Sequence, residues 1–308
     1  MAADRAGDAP DPSDPDPRAV RRAFGRAAGT YDQAAALQRE VGARLASRLD
    51  VVRLDPATIA DLGCGTGEAL AVLAARYPKA RLVAVDAARP MLVAARDRGR
   101  ARRPLLARWF SRRDAGASFV CADATALPLA ARSIDLLWSN LMLQWVPDVA
   151  RAFAEFHRVL DVGGLLTFTT FGPDTLKELA RAFAGIDAHT HVSRFVDLHD
   201  LGDLLVRAGF SDPVMDMETI TVTYPSPQAL LAELKAIGAT NQTRARPRGL
   251  TGRSRHARVL AALSALARDG RVPASFEVVY GHAWVGEPKR TTEGLPIVRV
   301  ERRRPDRR

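Results

Sequence analysis

The chain has few cysteines, few aromatic residues and no long apolar run, and each shortage excludes a class of protein. Cys64 and Cys121 are the only cysteines among 308 residues, without a CxxC pair or a His/Cys cluster, so neither a disulfide framework nor a metal site is predicted. No run of about 18 apolar residues occurs, and the N-terminus is acidic and proline-rich, which argues against a spanning helix and a secretory signal. We therefore expect a cytoplasmic protein that does not bind a membrane. A hydrophobic content of 47% is enough for one large globular domain.

Basic residues outnumber acidic ones. Because several of the acidic residues lie at the N-terminus, the rest of the chain is more basic than the net charge suggests. The formal net charge is +10, although residues 1–17 carry five aspartates against Arg5 alone. An excess of this kind favours a polyanionic partner, such as nucleic acid, an anionic membrane or an acidic protein, and does not choose among them. The basic residues are not interleaved with aromatic residues as they are in proteins that bind single-stranded nucleic acid.

Three segments differ in composition from the rest. Residues 1–18 form an acidic, proline-rich stretch that cannot bury enough apolar surface to order itself, so we expect a disordered tail. Residues 288–308 form a basic tail, and residues 96–113 contain eight arginines, which suggests an exposed insertion. Residues 19–287 are expected to form the folded domain.

Within that domain, short apolar runs alternate with helix-forming stretches, which is typical of an α/β protein with a mostly parallel sheet and helices on both faces. Strands are predicted at residues 58–62, 81–86, 118–122, 134–139, 165–170, 218–224 and 276–285. Helices are predicted at residues 34–49, 175–183, 199–208 and 227–237. In the first of these helices, Leu37, Val41, Leu45 and Leu49 recur every four residues and form an apolar stripe.

A glycine-rich turn follows the first predicted strand. Asp61 ends that strand, and Gly63, Gly65 and Gly67 allow the backbone to turn sharply and to approach a ligand closely. A dinucleotide loop of the GxGxxG type would require glycine at position 68, which is Glu68, and a pyrophosphate would be repelled by the neighbouring acids. A cofactor with a cationic amino-acid group and no phosphate fits better, and S-adenosylmethionine has these properties.

Polar side chains also end the following strands. Asp86 ends the second strand, where a carboxylate can accept hydrogen bonds from both ribose hydroxyls. Asp123, followed by Ala124, ends the third strand at the level expected for the adenine, and Asn140 ends the fourth strand beneath the methionine portion. Ligands of open α/β sheets bind at the carboxyl ends of strands, so these residues are expected to share one site.

These motifs resemble those of class I S-adenosylmethionine-dependent methyltransferases. They comprise residues 61–67, Asp86, residues 123–124 and residues 139–141. Further segments resemble a narrower family, the malonyl-[acyl-carrier protein] O-methyltransferases of biotin synthesis. These segments are residues 23–28 with Tyr31, and residues 144–146, 170–179, 191–195, 236–241 and 279–284.

The resemblance implies a Rossmann-like, seven-stranded sheet whose last strand is antiparallel, with insertions that cover the substrate. It implies methylation of the free carboxylate of malonyl-acyl carrier protein, and malonyl-coenzyme A is a second possible substrate. Tyr31 and Gln144 are expected to cover the cofactor, and Trp145 and Phe171 to line the catalytic pocket. Because a buried carboxylate needs a counter-charge, an arginine fork is expected, and Arg194 is the candidate. His191 and His282 are weaker pocket candidates, and His157 is expected to be structural.

Two other interpretations remain open. The basic charge is also compatible with a methyltransferase that acts on RNA or on a different small acid. The late segments also resemble the methyltransferase-fold assembly factors of mitochondrial respiratory complex I, which act on a protein partner. The acidic carrier protein of the first interpretation would account for the basic charge without nucleic acid.

Overall fold

Seven strands form one sheet in the order β3-β2-β1-β4-β5-β7-β6. The computed structural model describes residues 11–101, 116–186, 191–246, 249 and 252–287. The strands are β1 (Thr58–Leu62), β2 (Arg81–Asp86), β3 (Ser118–Cys121), β4 (Ile134–Ser139), β5 (Leu160–Phe171), β6 (Ser211–Tyr224) and β7 (Val272–Trp284). Strands β1 to β5 are parallel, and β7 runs antiparallel to both β5 and β6. The predicted Rossmann-like methyltransferase topology is confirmed.

Ten α-helices lie in the described part of the chain. They are α1 (Pro17–Ala27), α2 (Tyr31–Ala34), α3 (Ala36–Arg48), α4 (Glu68–Arg76), α5 (Arg89–Ala101), α6 (Val149–Val159), α7 (Lys177–Ala184), α8 (Leu198–Arg207), α9 (Pro227–Ala236) and α10 (Arg253–Ser264). Several begin at side-chain caps that satisfy free backbone N–H groups. The Asp148 carboxylate accepts from the backbone N–H of Arg151 at 2.9 Å before α6, and the Ser226 hydroxyl accepts from that of Ala229 at 3.2 Å before α9.

Both faces of the sheet are covered, because alternate residues of each strand point to opposite sides. On one face, Trp138 of β4 joins a core that includes the predicted stripe of α3. On the other face, Leu137 packs with Phe153 and Phe156 of α6. The strand β1 between these layers is buried along its whole length, which explains its continuous apolar character.

Part of the segment that was predicted to be a disordered tail is ordered. Residues 11–17 were expected to be disordered, but they lie against residues 242–245, where Arg244 donates its backbone N–H to the Asp14 carbonyl at 2.9 Å. The Asp16 carboxylate caps α1, and Arg246 lies 3.5 Å from it. These hydrogen bonds replace the apolar burial that the segment lacks. Residues 1–10, most of the predicted insertion and the basic C-terminal tail lie outside the described residues.

Within the described ranges, no helix combines the length and the apolar character that crossing a bilayer requires. The same residues contain no cluster of three or more His, Cys, Asp or Glu side chains that could hold a metal ion.

Candidate active site

The glycine loop between β1 and α4 makes the sharp turn that its sequence predicts. Gly63, Gly65 and Gly67 have φ angles of 70°, 52° and 77°, in the left-handed region that favours glycine. A Cβ atom on Gly63 would lie 2.6 Å from the Cβ of Met142, and one on Gly67 would lie 2.9 Å from the Cβ of Ala95. The loop therefore needs glycine for its backbone angles and for close packing against two neighbouring segments.

Asp86, at the end of β2, holds this loop in place. One carboxylate oxygen accepts the backbone N–H of Gly65 at 3.0 Å, and the other accepts that of Ala88 at 2.7 Å. Burial raises the pKa of Asp86, and these two hydrogen bonds oppose the rise. The carboxylate predicted to bind the ribose thus also shapes the loop beside it.

A chamber opens over the loop at the carboxyl ends of the strands, and we call it the first chamber. Seven residues predicted to bind the cofactor line it: Tyr31, Gly63, Gly65, Asp86, Asp123, Ala124 and Asn140. Its walls are completed by one side of α1 and by Leu141, Met142, Trp145, Val146 and Pro147. These strand ends line one cavity, at the edge where open α/β sheets bind their ligands.

Asp123 and Asn140 make hydrogen bonds within the protein as well as lining this chamber. Asp123 accepts from the hydroxyl of Thr125 at 2.8 Å, which closes a turn. The Asn140 amide donates to the Gln38 carbonyl at 2.9 Å and accepts from the Thr169 hydroxyl at 2.7 Å. Asn140 therefore attaches α3 to the sheet, a role that its position in the sequence does not indicate.

Asp61 does not line the first chamber, but it is buried directly below the glycine loop. Its side chain is 2% exposed, and its Oδ2 has no hydrogen-bond partner. Burial, with a smaller contribution from the nearby Asp86 charge, raises the pKa of Asp61 to about 8. An unpaired buried carboxyl beside a second carboxylate fits a cofactor that carries a positive charge and no phosphate.

We expect the affinity for a cationic cofactor to depend on the ionisation of Asp61. A positive charge nearby favours the carboxylate, so binding below about pH 8 must release a proton from Asp61. Affinity should gain up to about tenfold per unit as the pH rises toward that value. Stability of the protein without cofactor should fall over the same range, because the raised pKa disfavours ionisation in the folded state.

Calorimetric titration of the wild type and Asp61→Asn at several pH values measures this effect. The variant should lose the pH dependence that is specific to Asp61 in both affinity and stability. Equal slopes for the two proteins would contradict the assignment.

A second chamber adjoins the first, and four residues line both: Phe24, Tyr31, Leu141 and Trp145. Its remaining walls are mostly apolar and come from α3, α7, α9, the loops next to α7 and after α9, and from Gln144, Phe171 of β5 and Phe276 of β7. Trp145 packs edge-on against Phe24 with ring centroids 5.2 Å apart, so an aromatic pair separates the two chambers. Phe171 lies deeper, between Phe195 and Phe276.

Tyr31, which was predicted to cover the cofactor, stands over the glycine loop. Its ring would lie 4.0 Å from a Cβ on Gly65. The adjacent Asp32 accepts a hydrogen bond from the Thr66 hydroxyl at 2.5 Å and pairs with Arg98. These contacts attach α2 to the loop and fix the position of the Tyr31 ring.

Three further predicted site residues, Gly67, Gln144 and Arg194, do not line the first chamber. Gln144 lines the second, where its amide donates to the Leu141 carbonyl at 2.6 Å. Arg194 is exposed and does not line either chamber, although Ser193 and Phe195 both line the second. The prediction of a buried Arg194 fork is therefore wrong for this structure.

The histidines follow the predictions only in part. His191 lines the second chamber and stacks on Phe183 with ring centroids 3.7 Å apart. His282 lines neither chamber. His157 packs edge-on against Phe210, as expected for a structural histidine.

Residues of α1 are the main part of the site for which the sequence predicted no role. Val20 and Phe24 line the first chamber one helical turn apart. Their spacing of four residues is the pattern of a helix face, and it could have indicated this role. No comparable sequence pattern indicates a role in the site for Met142, which packs against Gly63.

Comparison with known proteins places this site in a family. Residues 60–168 match the family described as "Methyltransferase domain". The malonyl-[acyl-carrier protein] O-methyltransferase of Laribacter hongkongensis is 55% identical over 269 residues, spanning 86% of this chain and 88% of that protein. The protein of the same name from Gallionella capsiferriformans is 48% identical and spans 92% and 96%. The chain belongs to the malonyl-[acyl-carrier protein] O-methyltransferase family.

Proteins of the same name with lower sequence identity to this chain also match it. The one from Legionella pneumophila is 37% identical over 91% of this chain. Solved structures agree on the fold. The YcgJ protein of Bacillus subtilis superposes with a TM-score of 0.56 at 13% identity, over 80% of this chain and all of that one. A phosphoethanolamine N-methyltransferase of Haemonchus contortus in complex with S-adenosyl-L-methionine gives a TM-score of 0.51 at 16% identity, over 84% and 57%. S-adenosylmethionine is the methyl donor, as the sequence predicted.

Proposed function

We propose that this enzyme transfers a methyl group from S-adenosylmethionine to the free carboxylate of malonyl-acyl carrier protein. The observation that carries the proposal is the wall shared by the two chambers, because Tyr31, Phe24, Leu141 and Trp145 line both. A cofactor in the first chamber and an acyl group in the second would meet at that wall. The names of the relatives supply the substrate, since they describe malonyl-[acyl-carrier protein] O-methyltransferases.

The reaction requires the protein to position the malonyl carboxylate, and it does not require a general base. A malonyl carboxylate is already ionised at neutral pH, so no residue has to remove a proton. S-adenosylmethionine, when bound, supplies an electrophilic methyl group. The walls of the second chamber exclude water and restrict the acyl group, and such positioning can supply on the order of 7–11 kcal/mol.

Neutral donors are the groups that can hold the carboxylate. Among the described residues, no lysine or arginine lines the second chamber. Burial raises the pKa of Tyr31, and the charges of Asp86 and Asp32 raise it further, so its hydroxyl stays protonated and can donate a hydrogen bond. We propose Tyr31 as the main donor, with the Gln144 amide beside it. A neutral donor orients a carboxylate without neutralising the charge that makes it a nucleophile.

Tyr31→Phe is expected to lower turnover about 10- to 100-fold, because a hydrogen bond to a charged group contributes about 1.5–3 kcal/mol. Cofactor affinity should change little, since the ring that covers Gly65 is retained. Steady-state kinetics and calorimetry on the variant measure the two effects. Tyr77→Phe is a matched control, because Tyr77 lies outside both chambers. Wild-type turnover in Tyr31→Phe would remove this hydroxyl from the reaction.

The function itself is tested by offering S-adenosylmethionine and malonyl-acyl carrier protein to the purified enzyme. Mass spectrometry of the intact carrier should show the gain of one methyl group. Acetyl-acyl carrier protein, which has no free carboxylate, is the control and should remain unmodified. Malonyl-coenzyme A should also react, with a higher KM, because it lacks the carrier protein. Methylation of RNA in place of the malonyl group would overturn the proposal.

A further inference from the structure

One side of α1 carries a stripe of exposed arginines. Arg18, Arg22 and Arg26 recur every four residues and are all exposed. The adjoining side of the helix is buried: Ala19, Ala23 and Ala27 are 4%, 4% and 5% exposed and attach the helix to the protein. The exposed Arg21 and Arg89 stand at the edge of this stripe. We call these five arginines the α1 basic face.

The arginines of the α1 basic face have no acidic partners in the part of the chain that the structure describes. Elsewhere Arg44, Arg48, Arg76, Arg98 and Arg158 each pair with a carboxylate. Five like charges on one short surface repel each other, so they favour an external anion.

The position of the face connects it to the active site. Arg21, Arg22, Arg26 and Arg89 border a shallow groove beside residues 87–90. Arg21 also lines the first chamber, and Phe24 of the same helix lines both chambers. A protein bound on this helix would therefore stand next to the cavities that the reaction uses.

We propose that the α1 basic face is the docking surface for the acidic carrier protein that delivers the acyl group. This inference rests on the proposed function, and it assigns the partner to one helix. Charge complementarity is the physical reason, since opposite charges around a site raise the encounter rate and orient the partner. The stripe exposes no aromatic residue on which a nucleic-acid base could stack, which favours a protein over single-stranded nucleic acid.

A competing basic surface lies on α10, where Arg253, Arg255 and Arg258 are exposed. That helix lines neither chamber. Arg258 also donates to the Gly185 carbonyl at 2.9 Å, which holds its side chain against the protein. The three α10 arginines are therefore a matched comparison for the three arginines of the α1 stripe.

The test compares two triple variants, Arg18→Glu/Arg22→Glu/Arg26→Glu on α1 and Arg253→Glu/Arg255→Glu/Arg258→Glu on α10. The α1 variant should weaken binding of a fluorescently labelled acyl carrier protein at least about tenfold and raise KM for malonyl-acyl carrier protein to a similar degree. Turnover of a small malonyl thioester, malonyl-N-acetylcysteamine, should be unchanged. The α10 variant should resemble the wild type, and added salt should reduce the difference between the two variants.

Three results would overturn the proposal: unchanged carrier binding in the α1 variant, an equal loss with the small thioester, or a loss confined to the α10 variant. If the charge reversals unfold α1, Arg18→Gln/Arg22→Gln/Arg26→Gln gives the same test with a milder change. Cofactor affinity reports whether the helix is intact in each variant. Carrier binding that depends on α1 without any methyl transfer would refute the proposed function and leave the docking surface standing.

Discussion

Asp86→Ala is expected to abolish cofactor binding at ordinary concentrations. The substitution removes the carboxylate that lines the first chamber, and it also leaves the backbone N–H groups of Gly65 and Ala88 without their acceptor. Hydrogen bonds from the two ribose hydroxyls to this carboxylate would contribute about 1.5–3 kcal/mol each, so the loss of both should weaken cofactor affinity by about a hundredfold or more. Calorimetric titration with S-adenosylmethionine measures the effect.

Asp135→Ala provides the control for this prediction. The Asp135 carboxylate also accepts two backbone N–H groups, from Ala57 at 2.9 Å and from Thr58 at 2.8 Å. It does so at the amino end of β1, away from both chambers. The control should lose stability and keep its cofactor affinity. If Asp86→Ala binds the cofactor as the wild type does, Asp86 has no part in the cofactor site.

Gly63→Ala is expected to damage both the fold and the cofactor site. A left-handed conformation costs a residue with a Cβ about 1–2 kcal/mol, and forcing that atom against Met142 adds about 1–3 kcal/mol. Met142 lines the first chamber, so any movement that relieves the contact changes the chamber wall. The melting temperature should fall, and cofactor affinity should fall with it.

Gly163→Ala separates the effect of backbone strain from the effect of the contact with Met142. Gly163 has a similar φ of 79°, but a Cβ there would meet no atom within 4 Å. This control should lose about 1–2 kcal/mol of stability from backbone strain and should keep normal cofactor affinity. Equal effects of the two substitutions, measured by thermal unfolding and calorimetry, would mean that the Met142 contact is unimportant.

Local patterns in the sequence predict most of the fold. Strands β1, β2 and β4 begin and end where their apolar runs predict, because strands buried in a parallel sheet have apolar residues on both faces. The late strands β6 and β7 are longer than predicted. In β6, exposed side chains alternate with partly buried ones, so its first half has no continuous apolar run that would mark a strand in the sequence.

The sequence by itself determined which strand ends line the first chamber, because strand ends in a parallel sheet must meet at one edge whatever the surrounding loops do. Gly63, Asp86 and Asp123 therefore lie together as predicted. Only the tertiary structure decided which loop side chains enter the second chamber. In the loop after α7, Ser193 and Phe195 line the second chamber, whereas Arg194 between them is exposed and does not line it. Gln144 likewise faces the second chamber because the short turn at Leu143–Trp145 directs it there. A loop has no fixed period, and its side chains take their directions from the elements that pack against it.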